Sequence, residues 1–239
     1  MNVLITGGAS GLGRAILEKL CTDDSVKIFF TYFKSASEAR SIENKLTNAH
    51  GVFCDFSDAE SLNNLIEKLP SMELNVLVNN AISGMEVAHF HKTPEAVFTA
   101  DFMNNVLPQV RLMQECVKLF RKRKAGKLIT VLTAGLIGAP PMGYASYTAS
   151  KAYMASIVKT IAAENVKFNI TSNAVSPSLM KTGLLNILDE RIVDSVEEGH
   201  PLKQLLPLTQ VAEVVDFLTK SPSHLNGVNI PINAAVNVI

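Results

Sequence analysis

The sequence predicts an α/β fold in which a doubly wound parallel sheet of about seven strands is covered by helices on both faces. Short apolar runs alternate along the chain with longer segments of helical periodicity, which is the pattern of repeated strand–helix units. The first of these units joins its strand to its helix through a glycine-rich turn. The strands are expected near residues 2–6, 26–32, 51–54, 74–79, 127–133, 168–175 and 227–232.

Length and charge agree with this architecture. The chain has 239 residues, a size at which an α/β fold often remains undivided, so we expect residues 1–239 to form a single domain. Lys plus Arg and Asp plus Glu each number 22, so bulk charge predicts neither a nucleic-acid nor a membrane partner. The uncharged stretch from Leu128 to Ser150 contains Pro140 and Pro141, which would interrupt a membrane-spanning helix.

The cysteines and histidines predict a cytoplasmic protein without a metal. Three cysteines are widely spaced and form neither a zinc pattern nor a disulfide framework, and the first strand begins at once, with no signal peptide ahead of it. His89 and His91 are the only close histidine pair, and no third ligand accompanies them.

The glycine-rich turn predicts a phosphate site. A strand ending at Thr6 runs into Gly7-Gly8-Ala9-Ser10-Gly11-Leu12-Gly13, and a helical pattern follows from Arg14. Glycines let the backbone approach a pyrophosphate closely, while the N–H groups and dipole of a helix N-terminus favour its charge. Such a turn alone could be only a tight connection, but the flanking strand and helix favour the phosphate site.

Tyr147 and Lys151 predict a proton-transfer pair. Their four-residue spacing places both side chains on one face of a helix. An isolated tyrosine is a poor acid or base at neutral pH, and a neighbouring cation lowers its pKa by favouring the phenolate. A third polar element, Asn79-Asn80, follows an apolar strand and would lie at the mouth of the sheet.

Together these segments resemble the short-chain dehydrogenase/reductase family. The resemblance covers essentially the whole chain, and in the C-terminal half the pattern is most similar to 3-oxoacyl-[acyl-carrier-protein] reductases. It implies a Rossmann-like NAD(P)-binding domain, an oxidoreductase acting on ketones and secondary alcohols, and a homodimer or homotetramer. The motifs are Thr6-Gly-x-x-x-Gly11-x-Gly13, Asn79-Asn80-Ala81, Tyr147-x-x-x-Lys151 and Ser176-Pro177-x-x-x-x-Thr182.

The resemblance implies roles for four catalytic residues. Tyr147 would be the general acid in ketone reduction, and Lys151 would lower its pKa and hold the nicotinamide ribose. Thr133 stands where the family has a serine, and would orient the substrate carbonyl. Asn105, or alternatively Asn104, would hold a water that relays protons to the lysine. The implied cofactor-binding residues are Thr6, Gly7, Gly11, Leu12, Gly13, Lys34, Asp55, Asn79, Ala81, Lys151, Pro177 and Thr182.

The chain departs from the family pattern at three places. Ile82 and Ser178 replace glycines, and Asn233-Ala234-Ala235 replaces Asp-Gly-Gly. Because Tyr147 and Lys151 are both kept, we predict an active enzyme, and a non-catalytic nucleotide-binding subunit is the competing hypothesis.

The second strand predicts NADP(H) in preference to NAD(H). It ends without the Asp or Glu that would accept a hydrogen bond from the adenosine ribose. A 2′-phosphate would instead meet Thr31, Lys34 and Ser35, with Arg14 nearby.

The substrate is predicted to be a 3-oxoacyl group on a carrier protein. The alternative is a free small carbonyl compound such as a sugar or specialised-metabolite ketone. The loop at residues 140–145 and a lid-like segment at 179–206 would shape the pocket. Five cations at 121–124 and 127 could dock an acidic carrier protein, or simply suit the end of a helix.

Overall fold

The computed structural model describes residues 1–183 and 190–238. Within them, seven strands form one parallel sheet in the order β3-β2-β1-β4-β5-β6-β7. The predicted sheet is therefore confirmed, with strand boundaries that differ from the expected ones by at most two residues. The strands are β1 Asn2–Ile5, β2 Lys27–Tyr32, β3 Ala49–Phe53, β4 Val76–Asn79, β5 Gly126–Val131, β6 Ile170–Pro177 and β7 Asn229–Ile232.

Helices cover both faces of the sheet, as predicted. One hydrophobic core joins the sheet to α1, α2 and α8, and a second core joins the opposite face to α3, α5 and α6. Within β4, Val76 and Val78 belong to the first core and Leu77 to the second, because successive side chains of a strand point to opposite faces. The helices are α1 Gly11–Leu20, α2 Ala36–Lys45, α3 Ala59–Met72, α4 Glu95–Asp101, α5 Leu107–Arg123, α6 Ala145–Asn165, α7 Glu190–Gly199 and α8 Leu208–Lys220.

The strand order reverses at β1, which pairs with β2 on one side and β4 on the other. In open α/β sheets, ligands bind in the crevice outside the carboxyl ends of the strands at such a switch point. The glycine turn follows β1 at this edge, and the Asn80 segment follows β4. Thr133 follows β5, and Pro177 ends β6. The fold thus gathers the predicted site residues at one edge.

A π-helical turn, Phe102–Val106, separates α4 from α5. Pro108 follows it in the first turn of α5. Proline lacks an N–H and its ring clashes with the carbonyl four residues earlier, so the wider turn accommodates it. This wider turn carries Asn105 toward the site.

The predicted lid at 179–206 is described in part, because residues 184–189 lie outside the described residues. Its two ends meet through a hydrogen bond from the Leu206 N–H to the Leu179 carbonyl, at 3.0 Å. The uncharged stretch 128–150 divides among β5, a loop and the start of α6. In the part of the chain that the structure describes, no helix is long and apolar enough to cross a membrane.

Candidate active site

The glycine turn packs directly against the start of α1. Gly7 and Gly11 have φ values of +66° and +52°, a region that other residues adopt only with strain. A Cβ added to Gly13 would lie 2.1 Å from the Gly7 carbonyl oxygen and 2.7 Å from Asn80 Nδ2. Ser10, the N-cap residue, makes no side-chain capping bond. The N–H groups of the first helical turn therefore lack a side-chain cap, as an anion site requires.

Buried threonines hold this turn in place. Thr6 Oγ1 accepts hydrogen bonds from the backbone N–H groups of Asn80 and Ala81, at 2.8 and 2.9 Å. Thr31 Oγ1 accepts from the Gly7 N–H at 2.9 Å. Both threonine side chains are almost completely buried. Their hydroxyls therefore support the loop from inside the protein, while the roles of Thr6 in cofactor binding and of Thr31 at a 2′-phosphate stay predictions.

Asn80, not Asn79, presents its amide to the glycine turn. The Asn80 Nδ2 group donates to the Thr6 carbonyl at 2.9 Å. Asn79 is buried on the opposite face of β4, and neither of its side-chain amide atoms has a hydrogen-bond partner in the described residues. The role of Asn79 as a cofactor residue stays a prediction, and its two unpartnered amide atoms are available to a polar group.

The other predicted cofactor residues surround the same edge. Thr182 lies beside the glycine turn, since a Cβ on Gly11 would be 3.7 Å from its Cβ. Asp55 follows β3, and its Oδ1 accepts from the Ser57 N–H at 2.9 Å. Leu12 is buried within α1, so only its backbone faces the turn.

The predicted 2′-phosphate residues lie at the start of α2. Lys34 is exposed, with its Nζ 5.7 Å from the centroid of the Phe33 ring. Ser35 is the N-cap of α2 and makes no side-chain capping bond. Arg14 pairs with Glu18 at 2.8 Å, so its guanidinium is partly engaged. An exposed cation and an uncapped helix start thus remain for a phosphate.

Helix α6 brings Tyr147 and Lys151 together. The Lys151 side chain is buried, its Nζ donates to the Val131 carbonyl at 2.8 Å, and it lies 5.8 Å from the centroid of the Tyr147 ring. The Tyr144 ring contacts Tyr147 edge-on, with the ring centroids 6.2 Å apart. An ammonium carries three donors, so two remain on Lys151 for other acceptors.

The electrostatics of this pair differ from the expectation. Burial raises the pKa of Tyr147 to about 12, a hydrogen bond from Thr133 opposes that rise, and Tyr144 and Asp101 add to it. Burial also lowers the pKa of Lys151 to about 8, against the attraction of Asp101. The sequence led us to expect that Lys151 lowers the pKa of Tyr147. In the protein without cofactor the pKa of Tyr147 is raised instead, because desolvation is the largest effect. Tyr147 is a neutral phenol at neutral pH and has a proton to donate.

Thr133 lies two residues beyond β5, where it caps a short 3₁₀ turn, Ala134–Leu136. Its Oγ1 accepts from the Gly135 N–H at 3.2 Å, and its hydroxyl lowers the pKa of Tyr147 against the larger rise that burial causes. The two side chains therefore lie near one another, as hydrogen bonding of both hydroxyls to a single carbonyl oxygen requires.

Asn105 projects from the π turn into a cavity beside this pair. The cavity measures about 10 Å³, room for roughly one water molecule. Asn105 Oδ1 accepts from the N–H and the hydroxyl of Ser83 at 2.7 and 2.9 Å, and its Nδ2 donates to Asp101 Oδ1 at 2.7 Å. Asn104 is not among the lining residues, which are Ile82, Asp101, Asn105, Gln109, Tyr147, Ser150, Lys151 and Met154.

Sequence reasoning missed several polar residues of this cavity. Asp101 and Gln109 stand four residues before and after Asn105, so a search for polar residues at helical spacing could have found them. Gln109 Nε2 donates to the Ala81 carbonyl at 2.7 Å. Ser150 donates to the Asp101 carboxylate, a contact across two helices that no sequence spacing reveals.

Three of the five cations at 121–124 and 127 make side-chain contacts within the protein. The Arg121 guanidinium stacks on Phe168 with 4.2 Å between its carbon and the ring centroid, Arg123 donates to the Leu74 carbonyl, and Lys127 donates to the Ser221 carbonyl. The group also precedes β5, at the edge opposite the site, and a six-residue strand spans about 20 Å. The position of the group at this edge does not favour delivery to the Tyr147 of the same chain, and the carrier-protein dock stays a prediction.

His89 and His91 are exposed to solvent, with ring centroids 6.0 Å apart. Their segment packs on the loop before α6 through a hydrogen bond from the Ala88 N–H to the Gly143 carbonyl, at 3.1 Å. Within residues 1–183 and 190–238, no group of three or more His, Cys, Asp or Glu side chains could hold a metal ion.

Comparison with known proteins agrees with this geometry. The family described as short chain dehydrogenase matches residues 1–192. Among curated relatives, the 3-oxoacyl-[acyl-carrier-protein] reductase MabA of Mycobacterium bovis is 28% identical over 241 residues, covering 99% of this chain and 93% of that protein. The 3-oxoacyl-[acyl-carrier-protein] reductase FabG of Aquifex aeolicus is 26% identical over 249 residues, covering 98% and 96%.

Solved structures share the fold over almost the whole chain. One described as a short chain dehydrogenase/reductase family protein superposes with a TM-score of 0.84 at 27% identity, covering 98% of this chain and 96% of that one.

Proposed function

The chain belongs to the short-chain dehydrogenase family, and on that premise we propose that it is an NADP(H)-dependent reductase of a 3-oxoacyl group carried on a carrier protein. The family assignment makes it an NAD(P)-dependent oxidoreductase. The named activity of the curated relatives at 26–28% identity supports the choice of substrate class.

The observation that carries the proposal is the gathering of Tyr147, Lys151 and Thr133 at the sheet edge that also bears the glycine turn, with Lys151 Nζ 5.8 Å from the centroid of the Tyr147 ring. A nicotinamide cofactor supplies the hydride when bound. Tyr147, a neutral phenol, would donate its proton to the ketone oxygen. Thr133 would donate a hydrogen bond to the charge that develops on that oxygen. The two remaining donors of Lys151 would reach the tyrosine and a ribose hydroxyl.

The glycine turn fits a dinucleotide on structural grounds. The space in which a Gly13 side chain would stand is filled by the Gly7 backbone, so the loop is closed tightly around the uncapped start of α1. Backbone N–H groups and the helix dipole can there meet a pyrophosphate without side-chain obstruction.

The Thr133 hydroxyl is expected to be needed in the transition state. Thr133→Ser should keep substantial activity, whereas Thr133→Val should lose about a hundredfold in kcat, the scale for one such donor. Steady-state kinetics with one ketone measures both variants. Thr130→Val is a matched control, because the buried Thr130 hydroxyl has no hydrogen-bond partner in the described residues. Equal activities of the Ser and Val variants at position 133 would show that another group supports the oxyanion.

The cofactor preference is expected to favour NADPH. With no acidic residue at the end of β2 and an exposed Lys34 at the start of α2, kcat/KM should be at least about tenfold higher with NADPH than with NADH. Competition kinetics measures this ratio. Lys34→Ala should reduce it, and Lys45→Ala, at the far end of α2, should not. A wild-type preference for NADH would contradict the proposal.

The substrate class is tested by measuring kcat/KM for three kinds of substrate. These are a 3-oxoacyl chain on an acyl carrier protein, the same chain as a small thioester, and a panel of free ketones. We expect the carrier-bound form to have the highest kcat/KM. Turnover of free ketones without turnover of either 3-oxoacyl form would favour the alternative, a reductase of small carbonyl compounds. Cofactor binding without consumption on any substrate would favour a non-catalytic nucleotide-binding subunit.

A further inference from the structure

A row of polar side chains lies behind the Tyr147–Lys151 pair. Asp101, Asn105 and Gln109 recur at four-residue spacing through the end of α4, the π turn and α5, and all three line the cavity that Tyr147 and Lys151 also line. Asp101 is the only carboxylate among the described residues that line this cavity.

Both oxygens of Asp101 are held in fixed contacts. Oδ1 accepts from Asn105 Nδ2 at 2.7 Å, and Oδ2 accepts from the Ser150 hydroxyl. Ser150 directly precedes Lys151 on α6. The carboxylate therefore joins the helix that carries the tyrosine and lysine to the π turn that carries Asn105, and its position relative to Lys151 is defined.

Lys151 needs a countercharge. It is buried, its one described hydrogen bond goes to a neutral carbonyl, and no described carboxylate lies within 4 Å of its Nζ. A buried ammonium without an opposite charge loses the solvation that stabilises its charged form. Asp101 lines the same cavity, which has room for about one water, and its negative charge acts on Lys151.

We propose that Asp101 is a positioning residue of this reaction centre, whose carboxylate keeps Lys151 charged across the cavity and fixes α6 against the π turn through Ser150 and Asn105. The inference rests on the proposed function, because it assigns Asp101 a part in the chemistry of Tyr147 and Lys151. Asp101 acts through these two residues and need not touch the substrate.

The expected pH effect follows from the charges that face the pair. Asp101 faces it from α4 and Tyr144 from just before α6, while the π turn, α5 and the segment after β4 present the neutral side chains of Asn105, Gln109 and Ile82. Asp101 raises the pKa of Lys151, against the larger lowering that burial causes. It also raises the pKa of Tyr147, in addition to the larger rise that burial causes. Neutralising it would lower both pKa values, so charged Lys151 and protonated Tyr147 would be lost at lower pH.

The test is the pH profile of Asp101→Asn, which removes the charge and keeps the shape. The alkaline limb of kcat/KM for ketone reduction should move to lower pH by roughly one unit, the scale of a nearby charge. Glu95→Gln, which removes an exposed charge from the same helix, should leave the limb in place. Asp101→Glu, which keeps the negative charge, should have its alkaline limb at the wild-type pH. If Asp101→Asn does not fold, Asp101→Ser makes the same comparison.

A second measurement does not depend on turnover. Lysine side-chain NMR titration of the protein without cofactor, with the Lys151 signal assigned by its loss in Lys151→Met, should give a lower midpoint in Asp101→Asn than in wild type. If the wild-type protein reduces no ketone but the Lys151 midpoint is still lower in Asp101→Asn, the proposed function is refuted and the role of Asp101 is kept. An unchanged midpoint together with an unchanged pH profile would overturn the inference and leave the proposed function standing.

Discussion

Tyr147→Phe should abolish ketone reduction and leave the affinity for NADPH nearly unchanged. The substitution removes one oxygen and its proton from a half-buried ring, so the packing of α6 stays the same while the proton donor is lost. The expected loss in kcat is roughly 10²- to 10⁴-fold, the usual contribution of general acid catalysis. Steady-state kinetics and a fluorescence titration of NADPH measure the two quantities on the same preparation.

Two further variants sharpen this experiment. Tyr153→Phe removes a phenol hydroxyl from the same helix at a partly exposed ring that packs on Phe102, and should behave like wild type. Lys151→Met should damage both turnover and NADPH affinity, because its remaining donors are assigned to the tyrosine and to a ribose hydroxyl. Near-normal turnover of Tyr147→Phe would exclude the proposed acid.

Gly13→Ala should largely destroy cofactor binding. The new Cβ would lie 2.1 Å from the Gly7 carbonyl oxygen, so the backbone of the glycine turn must move. Overpacking of this kind costs about 1–3 kcal/mol, which corresponds to roughly tenfold to hundredfold in affinity if the shifted loop no longer fits the pyrophosphate. The NADPH dissociation constant and the midpoint of thermal unfolding should be measured together.

Gly199→Ala is the matched control, because a Cβ there meets nothing within 4 Å. It should leave both NADPH affinity and thermal stability close to wild type. A Gly13→Ala protein that binds NADPH normally would mean that the glycine turn is not the phosphate site.

Most of the fold could be predicted because its signals are local. The apolar run before Gly7 and the helical pattern after Gly13 each fix one element, and alternation of such units fixes a parallel sheet. Strand ends moved by up to two residues because pairing partners, not propensity, decide where a ladder stops. The π turn was not predicted, because Pro108 marks an irregularity in a helical pattern without specifying its geometry.

The site was predictable where spacing alone brings residues together and not where burial decides their role. Tyr147 and Lys151 meet because four residues separate them on one helix. Thr6 and Thr31, in contrast, carry hydroxyls that the fold uses internally. The raised pKa of Tyr147 likewise reflects desolvation, which no motif records.

Long-range contacts explain the remaining differences. Asp101 meets Ser150 across 49 positions of sequence, so the countercharge behind Lys151 was invisible before the helices were packed. The cations at 121–124 and 127 are close together in the sequence, which suggested a positively charged patch. The fold determines at which edge of the sheet they lie, and it brings three of them into contact with two carbonyl groups and an aromatic ring.

Hydride transfer is the most direct test of the central claim, that this chain reduces a ketone with a nicotinamide cofactor. NADPH carrying deuterium at the transferred position is incubated with a 3-oxoacyl substrate, wild-type protein or Tyr147→Phe, and the product is analysed by mass spectrometry. We predict a 3-hydroxyacyl product with one deuterium on the former carbonyl carbon from wild type and almost none from the variant. Bound cofactor with no deuterated alcohol from any ketone or 3-oxoacyl substrate would contradict the account.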